Sequence, residues 1–178
     1  MELIQDKQKK TFDVLKADFG WTNRMQAPQV KKVVISVGVG RMTKEKGKVE
    51  LVQDRLAKIT GQKPAQRGAK KAISTYKTRI GDLVGYQITL RGARMYDFLN
   101  RLVHVALPRT KDFKGISAAA IDDVGNYTLG IKEHTVFPET ADEDIKDVFG
   151  MAVTVVTSAK DKKVAKAYLD QLGFPFKK

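Results

Sequence analysis

The sequence predicts an α+β fold with a mainly antiparallel sheet, and three observations carry that reading. Two segments, 86–91 and 127–131, alternate apolar and polar residues with period two, the signature of strands with two unlike faces. Four segments carry apolar residues at helical spacing, each ending at a glycine or proline. Strands and helices follow one another without strict βαβ alternation, which argues against a parallel sheet.

Phe12, Leu15 and Phe19 follow helical spacing, with Gly20 just beyond, so a first helix covers most of residues 2–19. Its other faces carry Lys7, Lys9, Lys10 and Lys16. Val30 to Val39 is rich in β-branched residues and runs into Gly38-Val39-Gly40, a strand ending in a glycine turn. Val49, Val52, Leu56 and Ile59 form the apolar stripe of a second helix, closed by Gly61, with Pro64 blocking any continuation. Residues 65–85 look loop-like, with Gly68, Gly81 and Gly85 among basic side chains. In the strand that follows, Tyr86, Ile88 and Leu90 face one way and Gln87, Thr89 and Arg91 the other. The first set meets a core, and the second offers an amide, a hydroxyl and a guanidinium to a partner. Met95, Phe98, Leu99, Leu102 and Ala106 mark a third helix stopped by Pro108. Residues 108–126 read as irregular. Tyr127, Leu129 and Ile131 alternate again, Met151 to Thr157 is a further strand, and Val164, Tyr168, Leu169 and Leu172 mark a last helix ended by Gly173. With no repeat and no low-complexity linker, residues 1–178 read as one domain. The basic loop at about 65–85 and an acidic region at about 121–149 are excursions from it.

The net charge is +13, an excess that calls for an anionic partner because like charges repel in a compact fold. The charge is also segregated. Residues 58–94 hold nine Lys/Arg against Asp82 alone, a net +8 that favours nucleic acid over a merely wet surface. Residues 121–149 hold eight acids against Lys132 and Lys146, a net −6 that suits either a basic protein or a solvated loop. No cysteine is present, which excludes disulfides, thiolate zinc sites and iron–sulfur clusters. MELIQDKQKK lacks the apolar region of a signal peptide, and no apolar run approaches the roughly 18–20 residues that span a membrane. A cytoplasmic protein without a membrane partner is expected.

Catalytic chemistry finds little support. Gly40 and Gly47 bracket six residues where a phosphate-binding loop has four, and Val49 stands where that loop has Ser or Thr. His104 falls inside the third helix and His134 has no second histidine at ligand spacing, so no metal and no cofactor are expected. Asp122-Asp123 reads as a turn before a strand. Tyr86 has core-face parity, so base stacking on the sheet is not its task, and contacts to phosphates and 2′-hydroxyls of structured RNA suit the polar face better.

Several motifs occur in order: Thr60-Gly61-Gln62-Lys63-Pro64, the basic run to Lys71, Gly85-Tyr86-Gln87-Ile88-Thr89-Leu90-Arg91-Gly92, Arg109 to Gly115, Gly125-Asn126-Tyr127, Phe137-Pro138-Glu139 and Phe174 to Lys178. Each is weak alone. Together they span about Lys9 to Lys178 and resemble the bacterial large-subunit ribosomal protein L-five family, which binds 5S rRNA. The resemblance implies an antiparallel sheet packed against helices on one side, with an extended basic loop. It implies a structural, non-enzymatic constituent of the large subunit, in the central protuberance. The implied partners are 5S rRNA, 23S rRNA, P-site tRNA, neighbouring large-subunit proteins and a small-subunit head protein across an intersubunit bridge; no homo-oligomer is expected.

Carried onto this chain, the resemblance implies rRNA contacts at Lys9, Arg24, Ser36, Gln62, Lys63, Thr89 and Arg91. It implies tRNA contacts at Lys71, Ser74, Thr75, Tyr76, Lys77, Thr78 and Arg79. Thr89 and Arg91 also share a strand face by the period-two argument. The acidic 139–147 stretch has the right sign to meet a basic small-subunit protein. Two positions depart from the family pattern. Ser36 replaces the usual Asn and offers one hydroxyl for an acceptor and two donors. Gly81-Asp82-Leu83-Val84-Gly85 lacks the usual proline, and with it one fixed φ angle. Two other classes compete with this reading. A free-standing RNA-binding protein or chaperone would sediment away from the large subunit, and an enzyme acting on RNA would show turnover.

Overall fold

The computed structural model describes residues 2–40, 42, 45–111, 113–140 and 148–177. The 141–147 portion of the acidic stretch lies outside the described residues. The five-stranded, mainly antiparallel sheet has the order β2-β3-β1-β5-β4, with β1 Val30–Gly38, β2 Ala65–Gly68, β3 Leu83–Leu90, β4 Tyr127–Ile131 and β5 Met151–Thr157. The helices are α1 Ile4–Phe19, α2 Lys46–Thr60, α3 Gly92–Arg101, the single turn α4 Leu107–Arg109, and α5 Lys162–Leu172. The α+β expectation holds, and the chain divides into two compact units.

The first unit comprises residues 1–33, 90–129 and 154–178. Here α1 packs on α3 and α5. Gly20 takes φ 64° as the left-handed cap of α1, the stop that the sequence marks. Polar groups tie α1 to α5. The Thr11 hydroxyl donates to Gln171 Oε1 at 2.9 Å, Gln171 Nε2 donates to the Lys7 carbonyl at 2.8 Å, and Lys7 Nζ donates to the Leu172 carbonyl at 3.1 Å. The Asn100 side chain accepts the Ile4 N–H at 2.9 Å, satisfying one of the orphan donors that open a helix. Met95, Phe98 and Leu99 fill the core from α3.

Pro108 does not stop the third helix as expected. The chain continues through a π turn, Leu102–Ala106, into α4 and ends at Arg109. The wider i→i+5 bonding lets Leu107 N–H reach the Leu102 carbonyl, so Pro108, which has no N–H to give, fits the first turn of α4. The Thr110 hydroxyl then donates to the Ala106 carbonyl at 3.3 Å. The segment expected to be irregular, 108–126, also holds a 3-10 turn at Ala118–Ala120 and a bridge from Ile116 to Phe176 of the C-terminal tail.

The second unit comprises residues 34–89 and 130–153. Val49, Val52, Leu56 and Ile59 are buried along α2, and Gly61 caps the helix at φ 68°. Arg55 is also buried on this helix, with its Nη1 3.3 Å from Nε2 of the buried His134. The imidazole stacks on Phe149 at 4.2 Å, and Phe149 N–H points to Nδ1 at 3.3 Å.

The stretch 65–85 is not wholly a loop. Ala65–Gly68 pairs antiparallel with β3, with an irregular register between Arg67 and Gly68. Ladder-like contacts continue outward, with Ala69 N–H donating to the Asp82 carbonyl at 2.8 Å and Gly81 N–H to the Ala69 carbonyl at 3.0 Å. The excursion is therefore a hairpin, narrowed at its far end by a bridge between Ile73 and Thr78. Gly85 is required where β3 meets β1, since a Cβ there would lie 2.6 Å from the Val37 carbonyl oxygen.

Candidate RNA interface

The alternation read from β3 appears in the structure as burial. Tyr86, Ile88 and Leu90 are buried, Gln87 and Thr89 are half-exposed, and Arg91 is exposed at the start of α3. β1 repeats the pattern from Val33 onward. Val33, Ile35 and Val37 point into the core, while Ser36 is exposed. Each strand thus turns one dry and one wet face, as half-buried sheets do.

In the second unit the wet face carries a shallow depression of about 500 Å³, lined in part by Ser36, Gly38, Arg67, Gly85, Gln87 and Ala152. Arg67 Nε donates to Gln87 Oε1 at 2.7 Å, which aligns a guanidinium and an amide side by side. The structure therefore places Ser36 beside Gln87, whose amide the strand parity already turned toward a partner, and beside Arg67, which was not among the expected contact residues. Gln87 has the same parity as Thr89, so its position was legible; Arg67 was not, because β2 has no apolar alternation. Gln62 and Lys63 stand in the turn after α2. There the Thr60 hydroxyl donates to the Gln62 carbonyl at 3.1 Å, and Lys63 is exposed. Gln62, Lys63 and Thr89 do not line the depression.

In the first unit the expected residues Lys9 and Arg24 converge. They line one pocket of about 220 Å³ with Gln5, Gln8, Phe12 and Tyr96 among its walls. Arg24 Nη2 donates to the Lys9 carbonyl at 3.3 Å. The turn that carries Arg24 is held by a reciprocal cap: Asn23 Oδ1 accepts from Met25 N–H at 2.9 Å and Gln26 Oε1 from Asn23 N–H at 3.2 Å. Lys9 Nζ also pairs with Asp6 at 3.1 Å. Behind the pocket, the buried Tyr168 hydroxyl donates to Gln8 Oε1 at 3.0 Å and accepts the Val30 N–H at 3.1 Å. Burial pushes that phenol up, so it stays protonated as a donor. Arg91, at the N-terminal end of α3, stands outside this pocket.

All seven residues expected to meet tRNA fall on the hairpin. Ser74–Tyr76 forms a 3-10 turn and Lys77 takes φ 53°, the one non-glycine residue with positive φ among those described. Lys71, Ser74, Thr75, Tyr76, Lys77 and Arg79 are exposed, and Thr78 is half-buried. Asp82 Oδ2 accepts the Arg79 N–H at 2.7 Å, closing the start of the return arm. Tyr76 and Ile80 are largely exposed, an apolar content that charge counting does not reveal. Among the described residues no group of His, Cys, Asp and Glu could hold a metal ion, and no helix is long and apolar enough to cross a membrane.

Known proteins resemble this chain over nearly its whole length. A family model described as ribosomal protein L5 matches residues 23–79, and a second, describing the C-terminus of the same ribosomal family, matches residues 83–176. The chain is 46% identical to the large ribosomal subunit protein uL5 of Ureaplasma urealyticum serovar 10, covering 100% of this chain and 97% of that one. It is 44% identical to the protein of that name from Flavobacterium johnsoniae, covering 99% and 96%. It is also 44% identical to the one from Thermoanaerobacter sp. strain X514, covering 100% of both. With the matched residues spread over nearly the whole length, the chain belongs to the ribosomal protein L5 family, a family of structural ribosomal proteins and not of enzymes.

Proposed function

We propose that this chain binds 5S rRNA in the central protuberance of the large ribosomal subunit and reaches P-site tRNA with the tip of its hairpin. Membership of the family makes it a structural constituent of the large ribosomal subunit, in the cytoplasm, among rRNA and neighbouring ribosomal proteins. The finer assignments are our reading. Lys9, Arg24, Ser36, Gln62, Lys63, Thr89 and Arg91 contact rRNA. Lys71 and Ser74 to Arg79 contact tRNA. The acidic 139–147 stretch, of which 141–147 lie outside the described residues, has the charge to meet a basic head protein of the small subunit.

The observation that supports this best is the two-faced strand β3, whose Gln87 and Thr89 are half-exposed while Tyr86, Ile88 and Leu90 are buried. The sheet's wet face presents a hydroxyl and a neighbouring amide that also holds Arg67. They suit the phosphates, 2′-hydroxyls and base edges of a folded RNA. The net +13 supplies attraction without sequence preference.

A filter-binding titration against 5S rRNA, with tRNA as competitor at two salt concentrations, tests the reading. Tight binding that weakens with salt and resists excess tRNA is expected, because neutralised phosphates release counterions. Equal displacement by any RNA would overturn it. Arg91→Ala should weaken 5S rRNA binding by roughly 1–3 kcal/mol, the cost of a charge-assisted hydrogen bond. Lys77→Ala and Arg79→Ala should leave that affinity unchanged; a large loss there would mean that the wrong face carries 5S rRNA.

A further inference from the structure

We propose that the pocket between α1 and the 23–29 turn receives a single unpaired nucleobase of the bound RNA, with the neighbouring phosphates on Lys9 and Arg24. This rests on the rRNA-binding reading above and names what one part of that interface recognises.

Size sets the first limit. At about 220 Å³ the pocket falls below the roughly 300–1,000 Å³ of sites for drug-sized ligands, and it suits one planar ring system. Its walls set the second. Phe12 and Tyr96, both half-buried, bring aromatic surface to the pocket, and unstacked bases of single-stranded RNA stack on aromatic side chains. Its hydrogen-bonding capacity sets the third. Among the described residues, the Gln5 and Gln29 amides and the Tyr96 hydroxyl line the pocket without an intramolecular side-chain hydrogen bond. A bare phosphate would use donors only. Amides present donor and acceptor together, as the edge of a base requires. The cations Lys9 and Arg24 complete the nucleotide by offering its backbone two charges.

The pocket is also held in place before any ligand arrives. Gln8 is fixed through Oε1 by the Tyr168 hydroxyl, and the Asn23–Gln26 cap fixes the turn whose Arg24 is tied to the Lys9 carbonyl. Preorganised walls cost little ordering on binding, which favours a specific occupant over loose electrostatic contact.

The test uses the full chain, the double variant Gln5→Ala/Gln29→Ala, and 5S rRNA carrying single abasic substitutions at each unpaired position. Gln5 and Gln29 are exposed, so the double variant should keep the melting temperature of the parent chain. It should bind 5S rRNA about tenfold more weakly with an unchanged salt slope, whereas Arg24→Ala should reduce that slope by about 1. One abasic position should cost the parent chain about tenfold and the double variant almost nothing, since each change removes the same contact. Parent-like affinity of the double variant overturns the pocket assignment while leaving 5S rRNA binding intact. So does a weakened double variant that couples to no abasic position. Failure of the parent chain itself to prefer 5S rRNA over tRNA overturns the underlying reading, and the pocket assignment with it.

Discussion

Both units bury neutral polar side chains, but among the described residues the second alone adds a buried cation beside an imidazole. Among the described residues of the first, the buried polar side chains are neutral: Tyr168 bonds Gln8 and Val30, and Thr11 bonds Gln171. In the second, the α2 cation Arg55 is buried beside His134. Neutral networks stabilise a fold at any pH that leaves their members uncharged. A histidine beside a buried guanidinium stabilises it only while the imidazole is neutral. Burial first, and the Arg55 charge second, push the His134 pKa down to about 4 from its ordinary 6.5. The neutral ring carries one N–H, so it can accept at only one nitrogen, yet Arg55 N–H and Phe149 N–H each face one. A second proton would set donors against donors on both sides.

The largest expected effect comes from removing the ring. His134→Ala deletes a fully buried side chain, its stack on Phe149 and an acceptor for a buried N–H. We expect a loss of roughly 3 kcal/mol or more in denaturant unfolding at pH 7. A loss below about 1 kcal/mol would mean that the cluster is incidental to the second unit.

Next comes pH. The folded pKa is depressed, so the unfolded chain binds more protons between the two values. Stability is fully present above about 6.5 and is lost as pH falls toward about 4, with no further loss from this group below that. The shift corresponds to up to about 3 kcal/mol. Burial and Lys7 also lower His104, which is partly exposed, so its share is smaller. Unfolding curves of the parent chain and His134→Gln should therefore converge as the pH falls. Parallel curves would show that His134 does not set the acid limit.

The neutral network gives the contrasting result. Tyr168→Phe removes one hydroxyl, and Val30 N–H keeps a longer contact to Gln8 Oε1 at 3.4 Å. The expected cost is about 1–2 kcal/mol, and it should be flat from pH 4 to 8 because the phenol does not ionise there. A pH-dependent cost would erase the distinction between the units.

How much of this was legible in sequence follows from whether each feature is local. The stops at Gly20, Gly61 and Gly173 were readable because a left-handed cap depends on one residue, and all three have positive φ. The face assignment of Gln87 and Thr89 was readable because parity is a property of the strand alone. β2 was not, since Ala65-Gln66-Arg67-Gly68 is exposed throughout and gains its form from pairing with β3. The π turn that accommodates Pro108 leaves no mark in the apolar spacing. Arg55 and His134 lie 79 residues apart, and the Lys9–Arg24 pocket joins separate segments, so only the fold brings them together. Lys9 and Arg24 were named through the family resemblance; Gln5, Gln29 and Tyr96 had no local signal.

The smallest expected change sharpens the electrostatic side of the first unit. Asp6 pairs with Lys9 at 3.1 Å on an exposed helix face, so the pair itself stabilises little, and Asp6→Asn should alter unfolding stability by less than about 0.5 kcal/mol. Its consequence for RNA should be visible all the same. Asp6 competes with phosphate for the Lys9 ammonium, and removing its charge leaves Lys9 available for one more neutralised phosphate. The salt dependence of 5S rRNA binding should then steepen by up to about 1 unit, with affinity rising at low salt. If the slope stays put while Arg24→Ala lowers it, Arg24 meets the RNA backbone and Lys9 does not. The pocket would then hold its nucleotide from the turn alone.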